Sequence, residues 1–559
     1  MIALFTSLLA LLAGPLLSRL LEKQQVVTSF LDGVIRIIVG GVVLLHILPQ
    51  GVTETGAWAP LFVLAGALLV FIVEALPDQP RLRRNGTFLL AAIGLACHSF
   101  LDGIVLGDPD EHDHAAELLT YAIVLHTLPV GMLVWQSLKP SIGSTLTWLV
   151  LLAGAGATLA GFVSGQHVLP ETAHSALILL QCTIGGTLVH VLAHAQVDRN
   201  AEGRAASGIG ALIGGLAVLW LLDTHPLPQP FPQQLASGPA LLALAFPLSP
   251  ALLLGYVARG AWFALLPPRN PSGAAAGLSL ALRQPEASCG AGPWHRRVLE
   301  TRPTSTVLAF LVASPQLGAP TVFASAAMLG VGFSGVRLAA TVVLSALLGL
   351  SKDSHPPAPP PAHPQNPWRF ALVDGVDHTA PWVLAGLLLA AALEPLLSPT
   401  ALAGPTGVDV VTVVFLGLPA YICSIGLAPV VLILLHKGLS FGAAAALSVA
   451  APATNLATLK QLGERHGWRA AGMYTAVVTG GAIALGIGLN ASGLFSTADL
   501  PTLSRVPPNF VESFSLVALA VLFIASLLRQ GAGGFIAQIL HPYGNDAEHH
   551  EHEHAEHTH

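Results

Sequence analysis

Two short stretches carry residue types that could hold a metal ion. His98 and Asp102 stand four positions apart in Cys97-His98-Ser99-Phe100-Leu101-Asp102-Gly103, inside an apolar run over 87–107. On a helix that spacing puts both on one face, about 6 Å apart along the axis. A second run, over 116–138, holds His126-Thr127-Leu128-Pro129-Val130-Gly131. Imidazole and carboxylate suit borderline divalent ions such as Zn²⁺. A carboxylate in hydrocarbon costs at least roughly 2.5 kcal/mol, so an intramembrane Asp normally faces the protein interior and has a function there. Further candidate ligands are His46, in Leu45-His46-Ile47-Leu48-Pro49-Gln50, and the i, i+4 pair His190 and His194. A lone intramembrane His is more often a hydrogen-bonded residue than a ligand; six candidates on four spans shift that balance. The His190/His194 pair is equally a candidate proton relay, because imidazole titrates near pH 6.5.

The elements that must position these groups are membrane spans. Of 559 residues, 53% are apolar and 10% charged, where a soluble domain carries roughly 25% charge. The chain reads as an all-α polytopic integral membrane protein. Its net charge of −6 is spread over short loops and a tail, and no basic patch points to nucleic acid. The four cysteines, Cys97, Cys182, Cys289 and Cys423, fall in or beside apolar segments, which argues against a disulfide framework. The first apolar run, Ile2 to Leu21, lacks a basic leader region and a convincing cleavage pattern, so a retained helix is expected.

The first part divides into eight apolar spans, about 2–21, 27–48, 58–76, 87–107, 116–138, 144–164, 173–196 and 205–222. Arg19 and Lys23 follow the first, Arg81, Arg83 and Arg84 the third, Lys139 the fifth, and Arg199 and Arg204 the seventh, while the other loops hold no Lys or Arg. The positive-inside rule then puts the N-terminus outside and each basic loop in the cytoplasm of a cell inner (plasma) membrane. A linker rich in Pro and Gln covers 223–238. A second membrane domain follows over 239–530, with spans at about 240–266, 320–350, 380–397, 409–435, 470–490 and 511–528. The stretches 304–318 and 439–459 fit no simple span. Unless 439–459 re-enters the membrane, Lys460, Arg465 and Arg469 would lie outside.

Two parts of that domain, about 239–351 and 369–530, read as an internal repeat. Cys289 and Pro293 parallel Cys423 and Pro429, Pro315 parallels Pro452, and Val331–Val343 parallels Gly467–Val478. Short segments interrupted by Gly and Pro at matching places in two halves point to a transporter's substrate site. Ordinary helix-kink chemistry with chance similarity is the bland alternative. The tail, 531–559, is expected to be disordered, and His549, His550, His552, His554, His557 and His559 alternate with Glu. The tail is a candidate for metal capture, with a solvated tail or an artificial tag as alternatives. The acidic loop Asp110-Glu111-His112-Asp113-His114 is a second place where ions could gather.

The first eight spans resemble the ZIP family of zinc and iron transporters. His98-Ser99-Phe100-Leu101-Asp102-Gly103 is similar to that family's motif on span four, and His126-Thr127-Leu128-Pro129-Val130-Gly131 to its motif on span five. The resemblance covers roughly 1–222 and implies an eight-helix bundle moving divalent cations through a central site. Ser99, Thr127 and Val130 depart from the family pattern, where those positions help build a two-metal centre. His98, Asp102 and His126 then remain for one ion, with water or His46 completing the shell. The second domain resembles a predicted-permease family that includes organoarsenical efflux permeases. That resemblance rests on Cys289, on Leu308 through Pro315, and on Cys423 through Pro429 followed by Pro452 and Asn455. It implies that Cys289, Pro315, Cys423, Pro452 and Asn455 lie near a substrate path, where a thiol suits soft metals or metalloids. Two packed, buried cysteines are the plainer reading.

These observations lead to three expectations. The first is transport of divalent heavy-metal cations, zinc foremost, the metal being substrate or ligand and no cofactor being required. The second is a permease for another solute, metalloid or organoarsenical, gated by a metal-sensing ZIP-like domain. The third, a membrane zinc hydrolase, is set aside because His190-Val-Leu-Ala-His194 lacks the glutamate general base of the zincin motif. The partners expected are divalent metal ions and the lipid bilayer, not nucleic acid; a homodimer is left open. Arg529, after the last span, favours a cytoplasmic tail.

Overall fold

Hydrocarbon offers no water to backbone polar groups, so spanning segments close their hydrogen bonds within helices. The computed structural model follows this rule: every regular element among the described residues is helical. The structure describes residues 2–21, 24–43, 47–56, 58–74, 80–107, 123, most of 127–142, 143–166, 171–193, 200–224, 235, 237–265, 276–283, 298–351, 366–405, 407–418, 422–496, 500–501, 503 and 507–540. Among them, seven helices are long and apolar enough to cross a membrane, or up to nine if each of two bent helix pairs is one span. The chain is an all-α, multi-pass membrane protein. It divides into two compact units, Met1–Pro232 with Leu527–Ile536, and Gln233–Ser526 with Ala537–His559.

The first unit contains α1 (Ile2–Leu21), α2 (Gln25–Val42), α3 (Leu48–Thr55), α4 (Trp58–Glu74), α5 (Pro80–Gly107), α6 (Ser144–Gly165), α7 (Glu171–Ala193) and α8 (Ala201–Thr224). Helices α5 and α6 touch at backbone distance. A Cβ on Gly103 would stand 2.2 Å from the carbonyl oxygen of Thr158, and one on Gly161 only 1.9 Å from that of Phe100. Lipid is as apolar as a leucine side chain, so membrane helices associate by close packing, and small residues permit it. The same device joins α2 to α8 through Gly33 and Gly210, and α4 to α7 through Gly66 and Gly186.

The second unit contains α9 (Ser237–Leu265), α10 (Ala276–Arg283), α11 (Thr304–Leu317), α12 (Ala319–Leu329), α13 (Val331–Gly349), α14 (Gly375–Leu396), α15 (Val408–Gly417), α16 (Ser424–His436), α17 (Phe441–Ala453), α18 (Leu456–His466) and α19 (Trp468–Ser492). A π-helical turn over Phe370–Asp374 leads into α14. The last helix, α20 (Phe510–Leu540), is interrupted at Gly531.

Helices α11 and α12 meet at a bend of 52°, and α17 meets the Thr458–His466 part of α18 at 55°. Each bent pair ends in a glycine of nearly the same conformation, Gly330 (φ 85°, ψ 154°) and Gly467 (φ 91°, ψ 146°). A side chain is strained there, so glycine alone turns the chain at low cost. A long helix follows in each case, α13 or α19.

The expected single spans 320–350 and 409–435 are therefore each two helices. Gly330 interrupts the first, and the chain leaves the helix between Gly417 and Ser424 in the second. Apolar composition does not register a glycine held at positive φ, which is why the first run reads as continuous. Helices α11, α16 and α17 are buried almost throughout. Their breaks therefore lie inside protein, where non-helical backbone at membrane depth is tolerated.

Candidate functional sites

In the first unit α5 is one unbroken helix, and it carries both central candidates. His98 Nε2 lies 3.6 Å from Asp102 Oδ2, with the two side chains 12% and 16% exposed. Neighbouring Ser99 is buried. Thr127 Oγ1 donates to the carbonyl of Ile123 and lies 3.2 Å from Ser7 Oγ of α1. Where the family resemblance would place an acid, this hydroxyl thus fastens its segment to α1. Val130 joins Leu11 and Trp135 in a buried apolar cluster, and a Cβ on Gly131 would stand 2.4 Å from the Leu11 carbonyl oxygen.

His46, His126 and His194 lie outside the described residues, as does the side chain of His190. The structure brings His98 and Asp102 together, and among the described residues no group of three or more His, Cys, Asp or Glu could hold a metal. The loop 110–114 and the tail histidines from His549 onward also lie outside them. A polar pair without histidine also lies in this unit. Arg36 Nε lies 2.8 Å from Asp32 Oδ2 on α2, with the arginine 3% exposed. Two ionisable residues four apart in an apolar run are the signal that finds it.

In the second unit Pro315, Cys423, Pro452 and Asn455 lie at or near helix ends. Pro315 is near the end of α11, and its carbonyl accepts a hydrogen bond from Ser424 Oγ at the start of α16. That hydroxyl also lies 3.2 Å from Thr321 Oγ1 of α12, so it spans the α11–α12 break. Cys423 is the buried N-cap residue of α16. Gln316 Nε2 donates to the Ser448 carbonyl of α17 at 2.7 Å, one turn before Pro452. Asn455 caps α18, its Oδ1 accepting from Thr458 N at 2.8 Å. Tyr474 of α19 donates to the carbonyl of Ala453, the last residue of α17, at 2.6 Å. Cys289 lies outside the described residues. Among the described residues, fully buried Gln316 Oε1 and Ser314 Oγ have no hydrogen-bond partner, leaving an acceptor and a hydroxyl open beside the first break.

Several members of this interior are polar residues within largely apolar stretches: Gln316, Arg337, Tyr474 and the ion pair of Lys437 with Glu394. Lys437 Nζ lies 3.0 Å from Glu394 Oε2, off the direction of a hydrogen bond, and donates to the Glu394 carbonyl at 2.6 Å. Lys437 and Glu394 could be found from sequence by asking what an ionisable residue does in hydrocarbon. The chain matches no family model, no curated protein and no solved structure.

Proposed function

We propose that the chain is a membrane transporter for divalent heavy-metal cations, zinc foremost. In this reading a ZIP-like eight-helix unit is joined to a permease-like unit with an internal repeat. The observation that carries the reading is the His98–Asp102 pair, 3.6 Å apart and largely buried on an unbroken apolar helix. One imidazole and one carboxylate so placed form half of a tetrahedral shell, which His126, His46 or water would complete. With hydroxyl and alkyl groups at Thr127 and Val130, the site holds one ion and releases it easily. No step requires an enzyme's chemistry. The test is uptake of Zn²⁺, Cd²⁺, Mn²⁺ and Fe²⁺ by proteoliposomes containing the purified protein. Uptake of at least one ion should exceed a His98→Ala control, and equal rates for all four would sink the reading.

A separate observation favours a second reading. The bent pairs α11–α12 and α17–α18, each closed by a glycine and followed by a long helix, support an internal repeat with a solute path at the breaks. The second unit would then be a permease for another solute, and the metal pair of the first unit would sense rather than conduct. Asp102→Asn should abolish metal dependence while some transport survives. Transport that stops altogether with that substitution excludes the sensing role.

A further inference from the structure

Among the described residues, one buried cation of the second unit has no counter-charge. Arg337 lies on α13 and is 2% exposed. Among the described residues its Nε and Nη2 atoms have no hydrogen-bond partner and it makes no ion pair. Three other buried cations have partners. Arg36 has Asp32, Lys437 has Glu394, and the Arg259 guanidinium stands 4.7 Å over the Phe370 ring. An arginine this deeply enclosed cannot carry its charge to water along its stem, as snorkelling residues do.

The two open nitrogens share one edge of the guanidinium. That edge presents parallel N–H donors spaced for the two oxygens of a carboxylate or oxyanion. Hydroxyls lie on the same face of α13: Ser334, one turn earlier, meets Ser325 of α12 at 2.8 Å, and Thr341, one turn later, is buried.

The two bent-pair regions sharpen the point. Arg337 stands seven residues after Gly330, and Tyr474 seven after Gly467. Tyr474 spends its one donor on the Ala453 carbonyl at the end of α17. At the matching place the first region keeps a charged fork of donors open.

We propose that Arg337, with the Ser325–Ser334 hydroxyl pair beside it, is the binding site for an oxyanion or small carboxylate carried by the second unit. This rests on the permease reading of that unit.

The test uses the full chain in nanodiscs of phosphatidylcholine at fixed ionic strength, with the thermal unfolding midpoint read against added phosphate, sulfate or formate and chloride as reference. At least one oxyanion should raise the midpoint saturably above chloride. Arg337→Lys keeps the charge but loses the fork and should weaken binding about tenfold or more, the weight of one charge-assisted hydrogen bond. Arg337→Gln should abolish the response. Should that variant fail to fold, Ser334→Ala supplies the comparison, with binding weakened roughly threefold. The proposal is overturned if no oxyanion shifts the wild type, or if the shift survives Arg337→Gln undiminished. It is also overturned if only added phosphatidylglycerol produces a shift, which assigns the guanidinium to a lipid phosphate. Flux in proteoliposomes separates the two layers. An anion that binds through Arg337 but does not cross leaves this site standing and removes the permease reading. Anion flux indifferent to Arg337→Gln does the reverse.

Discussion

The two units place polar groups at membrane depth by opposite means. In the first, α5 continues unbroken from Pro80 to Gly107, and glycine seams press it against α6. An intact helix has already used its carbonyls, so only side chains are left to meet a ligand. His98 and Asp102 supply two such groups, which suits a cation. In the second, α11–α12 and α17–α18 are broken. Breaks release backbone donors and acceptors and expose amide and hydroxyl groups around them. Such an interior can surround a polar solute from several sides. The difference teaches that the membrane's demand for satisfied backbone is met by helix continuity in one unit and by burial of the breaks in the other.

The contrast can be broken at four points, taken from the largest effect downward. Lys437→Met should destabilise the second unit by about 3–5 kcal/mol, because it strands Glu394 as an unpaired buried charge. A double variant that also carries Glu394→Leu should recover most of that loss in chemical unfolding. In the first unit, Gly161→Ala drives a methyl into the Phe100 carbonyl and should cost about 1–3 kcal/mol. Gly156→Ala on the same helix meets nothing within 4 Å and should leave the unfolding midpoint unchanged. If the two glycine variants behave alike, the α5–α6 seam does not hold the first unit together. Tyr474→Phe should cost about 1 kcal/mol by removing the donor to Ala453, and should slow solute flux without changing metal binding. Asn455→Ala, which uncaps α18, should have a similar or smaller effect of about 1 kcal/mol.

The helices were legible in the sequence because length and hydropathy decide a span. What hydropathy could not show was continuity. The run 320–350 is uniformly apolar, yet Gly330 at φ 85° divides it. The bends after Leu317 and Ala453 arise in stretches that fit no simple span. His98 and Asp102 were read onto one helix face from their spacing alone, and their side chains lie 3.6 Å apart. Arg337 stayed hidden for a different reason. Arginine is not a metal ligand, and only its burial without partners among the described residues marks it. Gln316 escaped in the same way, since an amide beside Pro315 looks ordinary until Ser448 is seen to meet it across α17.

The most direct test of the metal site is zinc binding measured by calorimetry on the full chain, with the tail histidines His549, His550, His552, His554, His557 and His559 replaced by alanine so that only the intramembrane site reports. The account predicts one remaining zinc ion, lost on His98→Ala and weakened at least about tenfold by Asp102→Asn. Zinc binding that survives both substitutions unchanged, or that vanishes with the tail histidines alone, would contradict it.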